Sequence, residues 1–281
     1  MHRLGLDGKA FINLLLGYGY NVPAVMGTRI LAGRYNRVVT MLLIPFTLCS
    51  ARLQVFIFLV GIFFAPATAP WVILALYLVS FAAVIAMGLL LRLFRIGGRP
   101  EPFIMETPPY RLPTLRSVAL RSWQEVKDFL YRAATLIVFG VMVVWLLTHF
   151  PMNQPPASAG TWAGQLGQAF SPLFAPLGIA WQETVALLFG FIAKEIVIGA
   201  LAVIYGGGDL TARIAAQISP LQALSFMLFM LLYTPCIATL AAIRAESRSG
   251  RITLLSLALS LVSAWLASLV FYQTGLLMGL G

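Results

Sequence analysis

Two cysteines, one lysine–glutamate pair and one asparagine stand where an apolar chain is repeatedly interrupted. Cys49 follows Pro45, and Cys236 follows Pro235, each within a long apolar run. A proline in a helix cannot donate to the carbonyl one turn earlier, so Pro45 frees the Met41 oxygen and Pro235 that of Leu231. Cys49 lies 12 residues beyond Arg37, about 18 Å along a helix, which sets its thiol near the membrane midplane. Two sulfurs from opposing helices, with carbonyl oxygens alongside, suit a divalent transition metal bound in passing. Arg52 shares the face of Cys49 and adds a positive charge beside it. A buried cysteine is also commonly a small hydrophobe, so the spacing leaves both readings open.

Lys194 and Glu195 pose the sharpest problem. An ionised side chain at the bilayer centre costs a few kcal/mol or more unless it is paired or wet. The pair either lines a polar path or joins an internal salt bridge, for instance between Glu195 and Arg52, and the two are compatible. Gly190 lies just before this pair, while Gly17, Gly19, Asn21 and Pro23 break a second apolar segment. Thr234 adds a hydroxyl beside Pro235. Irregular backbone at membrane depth is tolerated where it is buried in protein or lines a wet cavity. Single glycines would equally serve close helix packing, whereas two matched breaks point to a site.

The elements that must position these residues follow from composition. The 281 residues are 60% hydrophobic and 10% charged, with mean hydropathy +0.91, which excludes an ordinary soluble domain. An all-α membrane protein is expected. The net charge of +10 comes from arginines in short loops, a positive-inside pattern rather than a nucleic-acid surface. No phosphate-binding loop is present, so nucleotide hydrolysis by these residues, and enzymatic activity generally, is not expected. Five stretches reach the roughly 20 residues needed to span: Val38–Phe64, Trp71–Leu93, Ala133–Phe150, Leu221–Ile243 and Ile252–Leu276. Lys9–Thr28 and Glu183–Tyr205 are also long enough but carry the central breaks.

Placing the basic loops in the cytoplasm puts 16 of the 19 Lys and Arg inside. The chain then lies outside both before Glu183 and after Tyr205, so that segment must be a re-entrant hairpin meeting near Gly190–Glu195. Lys9–Thr28 enters and leaves on the opposite side by the same reasoning. Two units of opposite topology form an inverted repeat, the arrangement that places a transporter's substrate site between its halves. The expected organisation is a first repeat over residues 1–99 and a second over residues 133–281. Residues 100–132 form a proline-rich elbow and an amphipathic helix lying in the interface. The second repeat opens with a span that the first lacks, so a further helix is expected before Met1.

In chain order, Gly17-Tyr-Gly-Tyr-Asn-Val-Pro-Ala24, Pro45-Phe-Thr-Leu-Cys-Ser-Ala-Arg-Leu53, Glu106-Thr-Pro-Pro-Tyr-Arg-Leu-Pro113, Ala193-Lys-Glu-Ile-Val197 and Tyr233-Thr-Pro-Cys236 resemble the membrane region of the ferrous-iron transport protein B family. The likeness spans nearly the whole chain. It implies Fe2+ uptake across the bacterial inner membrane through two Gate units, with Fe2+ as transported substrate and no resident cofactor. Carried over residue by residue, it makes Cys49 and Cys236 soft ligands. Asn21 and Glu195 are expected as oxygen ligands, with Arg52 and Lys194 as charge partners. Family members generally carry cysteine before Asn-Val-Pro; here Tyr20 removes one soft ligand. They also begin with a GTP-binding domain, which implies a G-domain partner chain, and a homo-oligomer is a further expectation. Another Gate solute, such as a nucleoside or a second divalent metal, is the alternative, as is a non-transporting module that assembles with a partner.

Overall fold

Breaks in helices, each placed by local chemistry, organise the molecule more than the helices do. The computed structural model describes residue 6 and residues 8–94, 114–153, 158–206, 210–233 and 236–279, and every regular element among them is helical. The proline-rich elbow, the Glu106–Pro113 motif, Thr234 and Pro235 lie outside the described residues.

The first hairpin is α1 (Gly8–Gly19) and α2 (Asn21–Gly27), which pack against each other. Tyr20 turns the chain between them in an extended conformation, φ −151° and ψ 128°. Asn13 Nδ2 donates to the Gly27 carbonyl at 3.3 Å and closes the two arms. The first broken span is α3 (Arg34–Leu43) and α4 (Ser50–Phe63), with a tight turn over Ile44–Phe46. It is followed by the uninterrupted α5 (Ala69–Leu93). Pro45 cannot continue an α-helix, which is why the expected span over Val38–Phe64 is present but interrupted.

Helix α6 (Leu115–His149) runs 35 residues without a break, about 52 Å. The amphipathic stretch and the apolar span expected after it are thus one continuous helix. Nothing between Arg132 and Thr135 stops a helix, because neither proline nor glycine occurs there. Thr114 caps its start by accepting from the Ser117 N–H at 3.4 Å. Helix α7 (Trp162–Phe174) follows and meets the next helix at a bend of 105°. At that bend Gly178 has φ 74°, and a Cβ there would run into Tyr272.

The second hairpin is α8 (Trp181–Ile192) and α9 (Ile196–Tyr205), folded back on itself as expected. Its far ends are clasped by Glu183, which accepts from the Ala180 N–H at 3.0 Å and from the Tyr205 hydroxyl. A short α10 (Leu210–Gln217) then precedes the second broken span, α11 (Pro220–Leu232) and α12 (Ile237–Ser247), and the final α13 (Gly250–Leu277). Four of these units are long and apolar enough to cross a membrane: Arg34–Phe63, Ala69–Leu93, Pro220–Ser247 and Gly250–Leu277. The two broken spans are more than half buried, whereas α5 and α13 bury less than a quarter of theirs. The interrupted helices therefore form the centre, and the continuous ones face lipid.

Candidate functional site

A helix broken inside a membrane exposes carbonyls that water cannot satisfy, so each must find a partner in protein. At the first break the four carbonyls of residues 44–47 do. The Ile44 carbonyl accepts from the Thr47 hydroxyl at 2.7 Å, and the Phe46 carbonyl from Ser80 Oγ of α5 at 2.8 Å. Pro45 and Thr47 both present their oxygens to Arg52 Nη1, at 2.8 Å each. The second guanidinium nitrogen of Arg52 donates to the Tyr233 carbonyl at 3.0 Å, where α11 ends. One fully buried arginine therefore latches the two broken spans together. The planar fork of a guanidinium suits this task, since it aims several donors in fixed directions.

The breaks match in backbone as well. Cys49 starts α4 with φ −78° and ψ 162°, and Cys236 starts α12 with φ −56° and ψ 158°. Both thiols thus occupy N-cap positions at the breaks. In the hairpins, Tyr20 and Ala193 share nearly identical extended conformations, the latter at φ −151° and ψ 130°.

Each hairpin also presses a glycine toward its own broken span. A Cβ at Gly17 would lie 2.6 Å from Thr47 Oγ1, and one at Gly190 would lie 2.6 Å from Val197 and 3.3 Å from the Tyr233 hydroxyl. Gly19 meets no neighbour within 4 Å, and Pro23 is exposed. Gly17 matters because the Thr47 hydroxyl it abuts, whose one proton goes to the Ile44 carbonyl, also lies 3.1 Å from the Asn21 side-chain amide. Gly17→Ala is expected to destabilise the protein by about 1–2 kcal/mol: overpacking costs about 1–3, and alanine's helix preference returns up to about 1. Thermal unfolding in detergent checks this. The Gly17→Ala/Thr47→Ala pair should lose less than the sum of the single losses, because removing the hydroxyl makes room for the new methyl.

The polar residues converge between the hairpins and the breaks. Lys194 is buried, its ammonium 5.4 Å from the centroid of the Tyr233 ring. Among the described residues that ammonium has no hydrogen-bond partner, and the ring face lies beneath it. Cys49, Cys236, Glu195 and Arg52 all lie within coulombic range of it. The Tyr20 hydroxyl is likewise within range of Cys49, Cys236 and Glu195. Cys49 is buried; Cys236 is half-buried, with its sulfur 3.3 Å from Thr239 Oγ1. Glu195 is exposed at the head of α9, and Asn21 is buried at the head of α2. No group of three or more His, Cys, Asp or Glu side chains among the described residues is close enough to hold a metal ion.

Residues that sequence reasoning did not single out do much of the positioning. Tyr233 accepts from Arg52, stacks under Lys194 and donates its hydroxyl to the Leu187 carbonyl at 2.8 Å, tying α11 to the second hairpin. Thr47 and Ser80 complete the first break. Thr47 and Tyr233 each sit two residues from a break proline, and that proximity was the available signal. For Ser80, a lone hydroxyl in an apolar helix, the sequence carries no comparable signal.

A family model described as "Nucleoside recognition" (Gate) matches residues 1–63 and 130–249. A second, "Ferrous iron transport protein B C terminus", matches residues 73–124. Among curated proteins, the "Fe(2+) transporter FeoB" of Synechocystis sp. is 44% identical over 98% of this chain and 45% of its own length. The protein of the same name from Methanocaldococcus jannaschii is 37% identical over 98% of this chain and 42% of its own. A "Fe(2+) transport protein A/Fe(2+) transporter FeoB fusion protein" from Porphyromonas gingivalis is 34% identical over 99% of this chain and 39% of its own. The chain thus spans less than half the length of these curated relatives. No solved structure matches it significantly.

Proposed function

The chain belongs to the Gate family, as the membrane region of ferrous iron transport protein B, and from that premise we propose that it is the permease part of a ferrous-iron uptake system. It is a multi-pass protein of the inner membrane. Fe2+ passes between two inverted repeats, residues 1–99 and 133–281, with the amphipathic start of α6 between them. The observation that carries this reading is the Arg52 latch, which joins two breaks that each place a cysteine at the head of a half-helix. The matched dihedrals at Tyr20 and Ala193 support the repeat, since corresponding turns in two copies should share a backbone.

In this reading Cys49 and Cys236 supply soft ligands, and Asn21 and Glu195 supply oxygens. Arg52 holds the breaks in place, while Lys194 sets the local charge. Gly17 and Gly190 let the hairpins approach the breaks, and Thr234 is proposed beside the second. Lys194 and Arg52 repel a cation, so Fe2+ dwells only where sulfur and carboxylate offset them. A GTP-binding partner or domain supplies nucleotide control, and the lipid bilayer is the remaining partner.

Anaerobic proteoliposomes holding this chain are expected to accumulate Fe2+, with uptake abolished by ferrous chelators and unaffected by nucleosides. The description of the Gate model favours a second reading, a nucleoside permease. Nucleoside uptake without Fe2+ uptake would replace the first reading by the second. Folded protein that moves neither solute would overturn autonomous transport and direct attention to the G-domain partner.

A further inference from the structure

Away from the breaks, where the start of the first broken span meets the end of the second, lies an open cavity of about 750 Å3. Arg29, Arg34, Arg37 and Arg248 line it, with Glu246 as the lone carboxylate. Arg29 Nε donates to both Glu246 oxygens at 2.7 and 2.8 Å, so that pair is internally neutral. Among the described residues no carboxylate pairs with Arg34, Arg37 or Arg248. Val38, Met41 and Ile252 supply an apolar floor.

Three local preferences are violated around this cavity. Arg34 and Arg37 sit in the first turn of α3, which carries no acidic residue, although the positive end of a helix dipole disfavours cations there. Arg248 ends α12 with φ 50° and ψ 24°, a left-handed conformation that glycine adopts at far lower cost. It is the one non-glycine residue with positive φ among the described residues. Finally, three like charges share one opening. A bound anion offsets all three costs, and backbone strain of this kind marks positions where a side chain is needed.

We propose that this cavity binds a phosphate group, presented by an anionic phospholipid headgroup. The positive-inside rule puts these loops at the cytoplasmic surface, level with the headgroups. A free phosphate would need only the arginines, whereas a lipid also uses the apolar floor. Basic pockets between membrane helices on this side take lipid phosphates by the same electrostatics.

The test uses the whole purified chain in neutral detergent with short-chain phosphatidylglycerol, phosphatidylcholine or inorganic phosphate added. Binding and thermal protection are expected with phosphatidylglycerol, little with phosphatidylcholine, and weaker binding with inorganic phosphate. Arg34→Gln and Arg248→Gly should each weaken phosphatidylglycerol binding about fivefold, the contribution of one basic residue near an anionic surface. Arg251→Gln removes an equal charge outside the cavity and should leave binding unchanged. Arg248→Gly is decisive because it relieves the strained backbone, so the lipid-free protein should melt no lower than the wild type. Equal affinity for inorganic phosphate would overturn the lipid assignment. Undiminished binding by folded Arg34→Gln and Arg248→Gly, or equal losses from Arg251→Gln, would overturn the site.

Discussion

Replacing Arg52 by alanine is expected to cost about 3–5 kcal/mol of stability and to abolish transport, the largest effect of any single substitution in this chain. The change strands three carbonyls, those of Pro45, Thr47 and Tyr233, in a region where water cannot replace the lost donors. It also opens a cavity the size of one of the largest fully buried side chains. Arg52→Lys should recover part of the loss. A lysine ammonium can serve the Pro45 and Thr47 oxygens together, but it lacks the fork that reaches across to Tyr233. The order of thermal midpoints in detergent should therefore be wild type, then Lys, then Ala, with Fe2+ uptake in the same order. An alanine variant that melts like the wild type yet fails to transport would reverse this account, making Arg52 a participant in ion passage rather than a latch.

The latch shows where the sequence was legible and where it was not. Proline at 45, glycine at 17 and 190 and the charges at 194 and 195 announce irregular backbone, because each conflicts with an uninterrupted apolar helix. Both hairpins and both proline-containing spans follow from that conflict. What resolves the conflict is tertiary. Arg52 reads equally well as a salt-bridge partner for Glu195 or as a charge beside Cys49, and only the fold turns it toward three carbonyls 5, 7 and 181 residues away. Ser80 is invisible for the same reason, since a hydroxyl in an apolar run says nothing about which carbonyl it will meet. The continuity of α6 is a different case. Its hydrophobic pattern changes from one-sided to all-round near residue 133, which suggests two elements, but a pattern change does not end a helix unless a breaker accompanies it.

The second large effect is expected at the thiols. Cys49→Ser and Cys236→Ser should each lower Fe2+ uptake about tenfold or more, because losing even an outer partner of a metal ligand costs 10–100-fold. The fold should not suffer. Both cysteines stand at N-cap positions and make no side-chain capping bond. Serine is among the preferred residues there and can accept from the orphan N–H groups of α4 and α12. The hydroxyl also keeps a polar contact available to Thr239, which now faces the Cys236 sulfur. Under the proposed function, a sulfur where oxygen would cap better is explained by what it binds rather than by what it stabilises. The same exchange should alter selectivity, since harder oxygen donors favour Mn2+ relative to Fe2+ more than thiols do. Initial uptake rates for Fe2+ and Mn2+ into anaerobic proteoliposomes, measured alongside thermal midpoints, separate the alternatives. Lower Fe2+ uptake with a reduced Fe2+/Mn2+ ratio and an unchanged or raised midpoint assigns the cysteines to ion passage. Uptake and selectivity equal to the wild type in the double serine variant would remove both thiols from the mechanism and leave them as small apolar fillers at the breaks.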